Sequence, residues 1–216
     1  MKPFTGIHSL PSRDLSRDWS FSKVKTKLFD VDKQPVTSFQ HPWELGALLD
    51  IYVKRKPKGV LELGPYNGGT LYWFLLHAAA GATVGTVDFF DELLGAREAT
   101  PEDWKKWTKK GIDFKHFEGD THDPKIQDAV STHFEDGIDW LFIDANHEYE
   151  HVLQDFTDYG AMVNEGGVIV LHDVRPKDMG SSRLFEELRQ AGYVTQLLVA
   201  DPYSETVDAG IGIIYV

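Results

Sequence analysis

The 216-residue chain contains no cysteine, so disulfides, thiolate metal ligation and cysteine nucleophiles are excluded together, and any metal must be held by oxygen and nitrogen. Basic residues are scarce relative to acids, 22 Lys and Arg against 34 Asp and Glu, which leaves a formal net charge of −12. A field of that sign repels polyanions and argues against a nucleic-acid partner. Long hydrophobic runs are also missing: none approaches the roughly 18 residues of a membrane span, and Met1 to Pro11 lack the apolar core of a secretory signal. The expectation is a cytoplasmic protein with neither a membrane nor a nucleic-acid partner. With 42% hydrophobic residues the chain can build a globular core, and its length suits one α/β domain better than two.

Residues 1–40 differ from the remainder. They are polar but carry Phe4, Trp19, Phe21, Phe29 and Phe39, too aromatic for a disordered tail, and read as an arm or lid on a domain of residues 41–216. From Pro42 a regular alternation sets in. Apolar spacing at Leu45, Leu48, Leu49, Ile51 and Tyr52 predicts a helix over 43–54. The run Gly59-Val60-Leu61-Glu62-Leu63-Gly64, short, apolar and stopped by glycine, predicts a buried parallel strand. Further strands are expected over 82–88, 112–117, 138–144, 168–171, 193–200 and 211–216. Helices are expected over 69–80, 101–110, 122–134, 149–163 and 181–191, with Gly166-Gly167 marking the end of the fourth crossover. This alternation implies right-handed crossovers and an α/β fold: a mostly parallel seven-stranded sheet with helices on both faces. The short connection before the last strand carries no helical pattern, which predicts that this strand runs antiparallel.

Polar chemistry concentrates at two strand ends. Ile143-Asp144-Ala145-Asn146-His147 follows the fourth strand and Leu171-His172-Asp173 the fifth, which places two carboxylates and two imidazoles around one crevice at the carboxyl edge of the sheet. Upstream, Glu62-Leu63-Gly64-Pro65-Tyr66-Asn67-Gly68 leads from a strand into a helix. Tyr66 stands where a dinucleotide site needs its second glycine, so a pyrophosphate fits poorly. A smaller ligand whose amine meets Glu62 fits better.

Glu62-x-Gly64-x-x-x-Gly68, with Asp88 ending the next strand, resembles the S-adenosylmethionine site of class I methyltransferases. The resemblance extends over residues 41–216 and implies a Rossmann-like methyltransferase sheet. It implies Glu62, Gly64, Tyr66 and Gly68 at the amino-acid end of the cofactor, Asp88 on its ribose, Gly119 and Asp120 near its adenine, and Asp144 beside it. The segment Phe142 to Tyr149, followed by Gly166 to Val174, is similar to metal-dependent O-methyltransferases of the macrocin and mycinamicin sugar type and to cephalosporin-hydroxylase-like relatives. That likeness implies Asp144 and Asp173, with His172 in the motif, as ligands of Mg²⁺ or Mn²⁺, and His147 as general base. His172 stands where the sugar enzymes can carry a carboxylate, which leaves Mn²⁺, Zn²⁺ or no metal open and gives His172 a place beside Asp144 and His147 in the catalytic set.

The expected activity is metal-assisted O-methylation of a small hydroxylated acceptor, such as a sugar or natural product. An NAD(P)-dependent oxidoreductase and a noncatalytic ligand-binding protein are the alternatives on the same fold. Acceptor-pocket walls are expected from the N-terminal aromatics and from residues 89–99 and 175–182, and a homodimer is the default assembly.

Overall fold

A computed structural model describes residues 34–89, 97–175, 178–200 and 209–216. Within them the chain runs α1 (Pro42–Arg55), β1 (Gly59–Leu63), α2 (Gly69–His77), β2 (Thr83–Asp88), α3 (Pro101–Trp107), β3 (Asp113–Glu118), α4 (Pro124–His133), β4 (Ile138–Ile143), α5 (Tyr149–Gly160), β5 (Val163–His172), α6 (Gly180–Gln190), β6 (Val194–Leu198) and β7 (Ile211–Tyr215). The strands form one sheet in the order β3-β2-β1-β4-β5-β7-β6. Pairing is parallel from β3 through β5, and β7 inserts antiparallel between β5 and β6. The expected seven-stranded α/β sheet with a reversed last strand is therefore present. Most of the expected N-terminal arm, including Phe4, Trp19, Phe21 and Phe29, lies outside the described residues, as do residues 90–96, 176–177 and 201–208 of the expected loops.

The central strands are apolar without alternation because both faces of the sheet are covered. Trp140 and Phe142 of β4 and Val168 and Val170 of β5 pack with α1, α2 and α3, around Leu45, Leu48, Phe74 and Trp104. Their neighbours Leu141, Ile143, Ile169 and Leu171 point the other way, into a second core with Val152 and Tyr159 of α5 and Leu184 and Leu188 of α6. Helix ends follow local chemistry. The His41 ring accepts the Trp43 amide at 3.3 Å with Pro42 opening α1, and Thr100 and Asp103 form a capping box at α3. Among the described residues no helix is long and apolar enough to cross a membrane.

One expected boundary is corrected. Helix α5 stops at Gly160, and Gly166-Gly167 lies inside β5 rather than between helix and strand. The pairing of β4 with β5 jumps from Ile138↔Val163 to Trp140↔Val168, so the glycine pair sits in a bulge that resets the register. Gly166 has φ +80°, and a Cβ on Gly167 would meet the Val163 side chain at 2.6 Å. A glycine pair after a helical pattern looks like a helix stop, but here it serves the strand.

Gly64 follows β1 with φ +78°, and a Cβ there would collide with the Asp144 carbonyl and the Ala145 backbone. The space that glycine leaves is thus filled by the end of β4. Gly64→Ala should destabilise the fold by about 1–3 kcal/mol through overpacking and a strained backbone. Urea denaturation would read this as a lower midpoint at an unchanged slope.

Candidate active site

Strand register brings the site together. Glu62 pairs with Phe142, and Phe142 pairs with Val170, so these three side chains share a face. Two residues further along, on that same face, come Asp144 after β4 and His172 at the end of β5. The His172 ring lies 6.4 Å from that of Phe142, as this spacing requires. All of this happens at the switch point, where β1 is flanked by β2 and β4.

The four residues expected at the two strand ends do converge. Asp144 Oδ1 lies 3.0 Å from His172 Nδ1 and 3.3 Å from His147 Nε2. Asp173 closes the ring, with Oδ2 3.3 Å from His147 Nδ1 and Oδ1 3.5 Å from His172 Nδ1. To do so Asp173 adopts φ +55°, a left-handed conformation that costs a non-glycine residue roughly 1–2 kcal/mol. One ligand atom from each residue falls within 4.8 Å of all the others, so the four could hold a metal ion.

The cluster balances its own charge. Burial would raise the Asp144 carboxyl, but His172 and His147 outweigh it and hold its pKa below the ordinary value. The bond to Asp144 raises His147 against its partial burial, with Asp173 adding to the pull. For His172, burial works against the charged ring, yet Asp144 and Asp173, with Glu44 behind them, raise its pKa to about 9. Its Nε2 is buried without a hydrogen-bond partner among the described residues. Two imidazoles alternate with two carboxylates in the ring, so each group offsets its neighbours, which is how so many ionisable atoms tolerate burial together.

Glu62 has no such compensation. It is 1% exposed, and its Oε2 has no hydrogen-bond partner among the described residues. Burial, reinforced by the Asp144 and Asp88 carboxylates, holds its pKa well above the ordinary carboxylate range. Glu62, Gly64 and Tyr66 line a cavity of about 200 Å³ with Asp144, His147, His172 and Asp173. A second cavity, of about 560 Å³, opens between the start of α5 and the start of α6, and His147 lines both.

The remaining expected cofactor residues stand along neighbouring strand ends. Asp88 Oδ2 accepts the Tyr66 amide at 3.2 Å and pairs with Arg97 at 2.6 Å. Gly119 donates its amide to the Asp88 carbonyl, while Asp120 is exposed and accepts the His122 amide. Neither Asp88, Gly119 nor Asp120 lines the two cavities. Gly68 opens α2 at φ +82° over the Trp104 indole, so its glycine requirement comes from packing.

Several site residues escaped the sequence reading. Arg97 also donates to the Tyr66 carbonyl at 2.7 Å, and its guanidinium lies 5.1 Å from the Tyr66 ring centre. Tyr66 itself sits at φ +48°. Gln40 reaches Asp144 Oδ2 at 2.7 Å from 104 residues away. Glu44 of α1, buried, accepts the amides of Ala200 and Gly210 at 3.0 and 3.2 Å and so ties α1 to the segments beyond β6 and before β7. A lone polar residue ahead of a helix, or within its first turn, carries no local signal of such a reach.

A parallel sheet with this strand order, a reversed seventh strand and a glycine turn at the switch point defines the class I methyltransferase architecture. The sequence profile of a methyltransferase-domain family matches residues 61–174, from β1 through the end of the four-residue cluster, and the chain belongs to that family. An uncharacterized protein, R132, of Acanthamoeba polyphaga mimivirus is 30% identical over 113 residues, covering 52% of this chain and 50% of that protein. The chain thus matches about half the length of this curated relative. The fold is shared with the O-methyltransferase TomG of Streptomyces achromogenes, involved in tomaymycin synthesis and solved with S-adenosylmethionine, at TM-score 0.61, 16% identity, and 83% and 81% coverage of the two chains. It is shared also with an O-methyltransferase of Bacillus cereus solved with S-adenosylhomocysteine, at TM-score 0.60, 15% identity, and 86% and 85% coverage. The S-adenosylhomocysteine-bound methyltransferase PaMTH1 of Podospora anserina has the same fold, at TM-score 0.56, 19% identity, and 88% and 83% coverage.

The raised pKa of His172 makes stability depend on pH. Its folded value of about 9 exceeds the ordinary 6.5, so the ion pairs stabilise fully below about 6.5 and that contribution is lost as pH rises through about 9. In chelator-treated protein the melting temperature should therefore fall between about pH 7 and pH 10. His172→Asn should flatten that slope, as differential scanning calorimetry would reveal.

Proposed function

We propose that the protein is an S-adenosylmethionine-dependent O-methyltransferase acting on a small hydroxylated acceptor with help from a divalent ion. The observation that carries this reading is the buried carboxylate of Glu62, whose Oε2 has no hydrogen-bond partner among the described residues, facing the same cavity as the Asp144, His147, His172 and Asp173 cluster. A buried carboxyl at the foot of that cavity, its pKa raised by burial, matches the ammonium at the amino-acid end of the cofactor, which would favour the ionised form of Glu62. Membership of a methyltransferase family and the cofactor-bound structural relatives support the same choice. Nothing comparable favours a nicotinamide, whose pyrophosphate would have to pass Tyr66.

When bound, S-adenosylmethionine supplies a methyl group on a positively charged sulfur, open to attack by an oxygen nucleophile. Asp144, His172 and Asp173 would hold the metal. Bound there, a divalent ion would lower the pKa of an acceptor hydroxyl and fix its orientation. An imidazole beside two carboxylates fits Mn²⁺ or Zn²⁺ better than Mg²⁺, which prefers all-oxygen ligation. His147 is the member shared by both cavities, and its side chain is 32% exposed against 5% for His172. That position suits it to take the hydroxyl proton from an acceptor in the larger cavity. Asn146, Glu148, Asp178 and Arg183 in the walls of that cavity offer hydrogen bonds to a polyhydroxylated molecule, which fits a sugar or a glycosylated natural product.

Calorimetric titration with S-adenosylhomocysteine tests the reading: micromolar binding is expected, weakened at least about tenfold by Glu62→Ala. Absence of heat with folded protein, or binding of NADH instead, would overturn it. With a competent acceptor, His147→Ala should reduce turnover by about 10²- to 10⁴-fold, a far larger loss than in S-adenosylhomocysteine affinity. Because the His172 imidazole must shed its proton before it can ligate, Mn²⁺ affinity should rise with pH up to about 9. Proton release measured by calorimetry in buffers of different ionisation enthalpy would report it.

A further inference from the structure

Asp144 is the most heavily engaged group in the site, yet the cluster accounts for only one of its oxygens. Oδ1 faces both imidazoles; Oδ2 accepts a hydrogen bond from Gln40 Nε2 at 2.7 Å. Gln40 belongs to the segment ahead of α1 and is 7% exposed. Its carbonyl Oε1 accepts the Thr70 hydroxyl of α2 at 2.6 Å and the Ser38 hydroxyl at 2.5 Å. Thr70 is itself buried, and Thr37 to Gln40 wall the smaller cavity.

The orientation of the amide follows from charge. A flipped side chain would set its carbonyl against an ionised carboxylate oxygen, acceptor to acceptor, while the hydroxyls could adapt either way. The carboxylate therefore demands the amide nitrogen, and the two hydroxyls hold the carbonyl back. Asp144 is pinned about its own side-chain torsion: Oδ2 is tied to the cofactor-cavity wall, and Oδ1 is presented to His147 and His172.

We propose that Gln40 is a positioning residue for this site, held by Thr70 and Ser38, and that it aims Asp144 Oδ1 at the point where a divalent ion would sit. This rests on the methyltransferase reading above and extends it: part of the segment ahead of α1 belongs to the reaction centre. A hydrogen bond behind a ligating carboxylate removes the rotational freedom that the carboxylate would otherwise lose on metal binding.

The test is calorimetric titration of Mn²⁺, and separately of S-adenosylhomocysteine, into chelator-treated wild type, Gln40→Met, Thr70→Val and Thr70→Ser at one fixed pH. Gln40→Met keeps length and volume and should weaken Mn²⁺ binding by about 10- to 100-fold, a larger loss than in S-adenosylhomocysteine affinity, which also feels Gln40 through the cavity wall. Thr70→Val keeps the shape and loses the hydroxyl, so it should lose part of the Mn²⁺ affinity. Thr70→Ser keeps the hydroxyl and loses the methyl, so it should restore that affinity. A role confined to packing predicts the reverse order for the two Thr70 variants, and that order would overturn the proposal. Unchanged Mn²⁺ affinity in folded Gln40→Met would overturn it too. Wild type that binds S-adenosylhomocysteine but no Mn²⁺ removes this inference and leaves the cofactor reading standing; wild type that binds neither removes the proposed function itself.

Discussion

The site depends on how closely the end of β1 approaches the end of β4. Gly64 lies against the Asp144 carbonyl and the Ala145 backbone, while the Asp144 amide donates to the Leu63 carbonyl at 2.9 Å and the Gly64 amide donates to the Val87 carbonyl at 2.9 Å. Three strands are thereby locked in register to their last residues. With β5 in register beside β4, the period-two geometry of strands then puts Glu62, Asp144 and His172 on one face. A side chain at position 64 would push the strand ends apart and misalign every one of them. The glycine turn is a packing device first, and the cavity beside it is a consequence.

Electrostatics adds a second constraint. Five ionisable side chains crowd one cavity: Glu62, Asp144, His147, His172 and Asp173. Four of them offset each other as ion pairs, and burial with the neighbouring carboxylates holds the pKa of the fifth, Glu62, well above the ordinary range, so an acidic chain limits its charge at this point. That balance is conditional. A cationic amine would favour the ionised form of Glu62, and a divalent ion would displace the proton of His172, so ligands of positive charge shift protons rather than entering an empty field. Local backbone strain marks the same place: Tyr66 and Asp173, both left-handed without being glycine, flank the cavity.

Much of this could be read along the chain. Strands that end in a glycine or an acid after four or five apolar residues identify themselves, and so the sheet class, the order of its elements and the polar strand ends at Asp144, His147, His172 and Asp173 were legible. The glycine pair at 166 and 167 was not, because a helix stop and a strand bulge use the same residue for the same reason, its tolerance of positive φ. Gln40 and Arg97 were illegible for a different cause. Their partners, Asp144 and Asp88, lie 104 and 9 residues away, and neither contact leaves a period, a spacing or a composition in the sequence.

The amino-acid order sets what is local: which runs are apolar on both sides and become central strands, where a glycine permits a turn, which carboxylates and imidazoles stand at strand ends, and the acidic balance that argues against polyanions. Those properties depend on neighbours in the chain. Assembly of the sheet settles the rest. Whether a strand-end imidazole meets a carboxylate depends on register, and whether Glu62 is solvated or orphaned depends on what packs over it. Which oxygen of Asp144 is offered to the cluster depends on the segment ahead of α1 folding back onto β4. Proximity across the sheet and loss of water are properties of the packed molecule, and they turn residues with chemical capacity into a site.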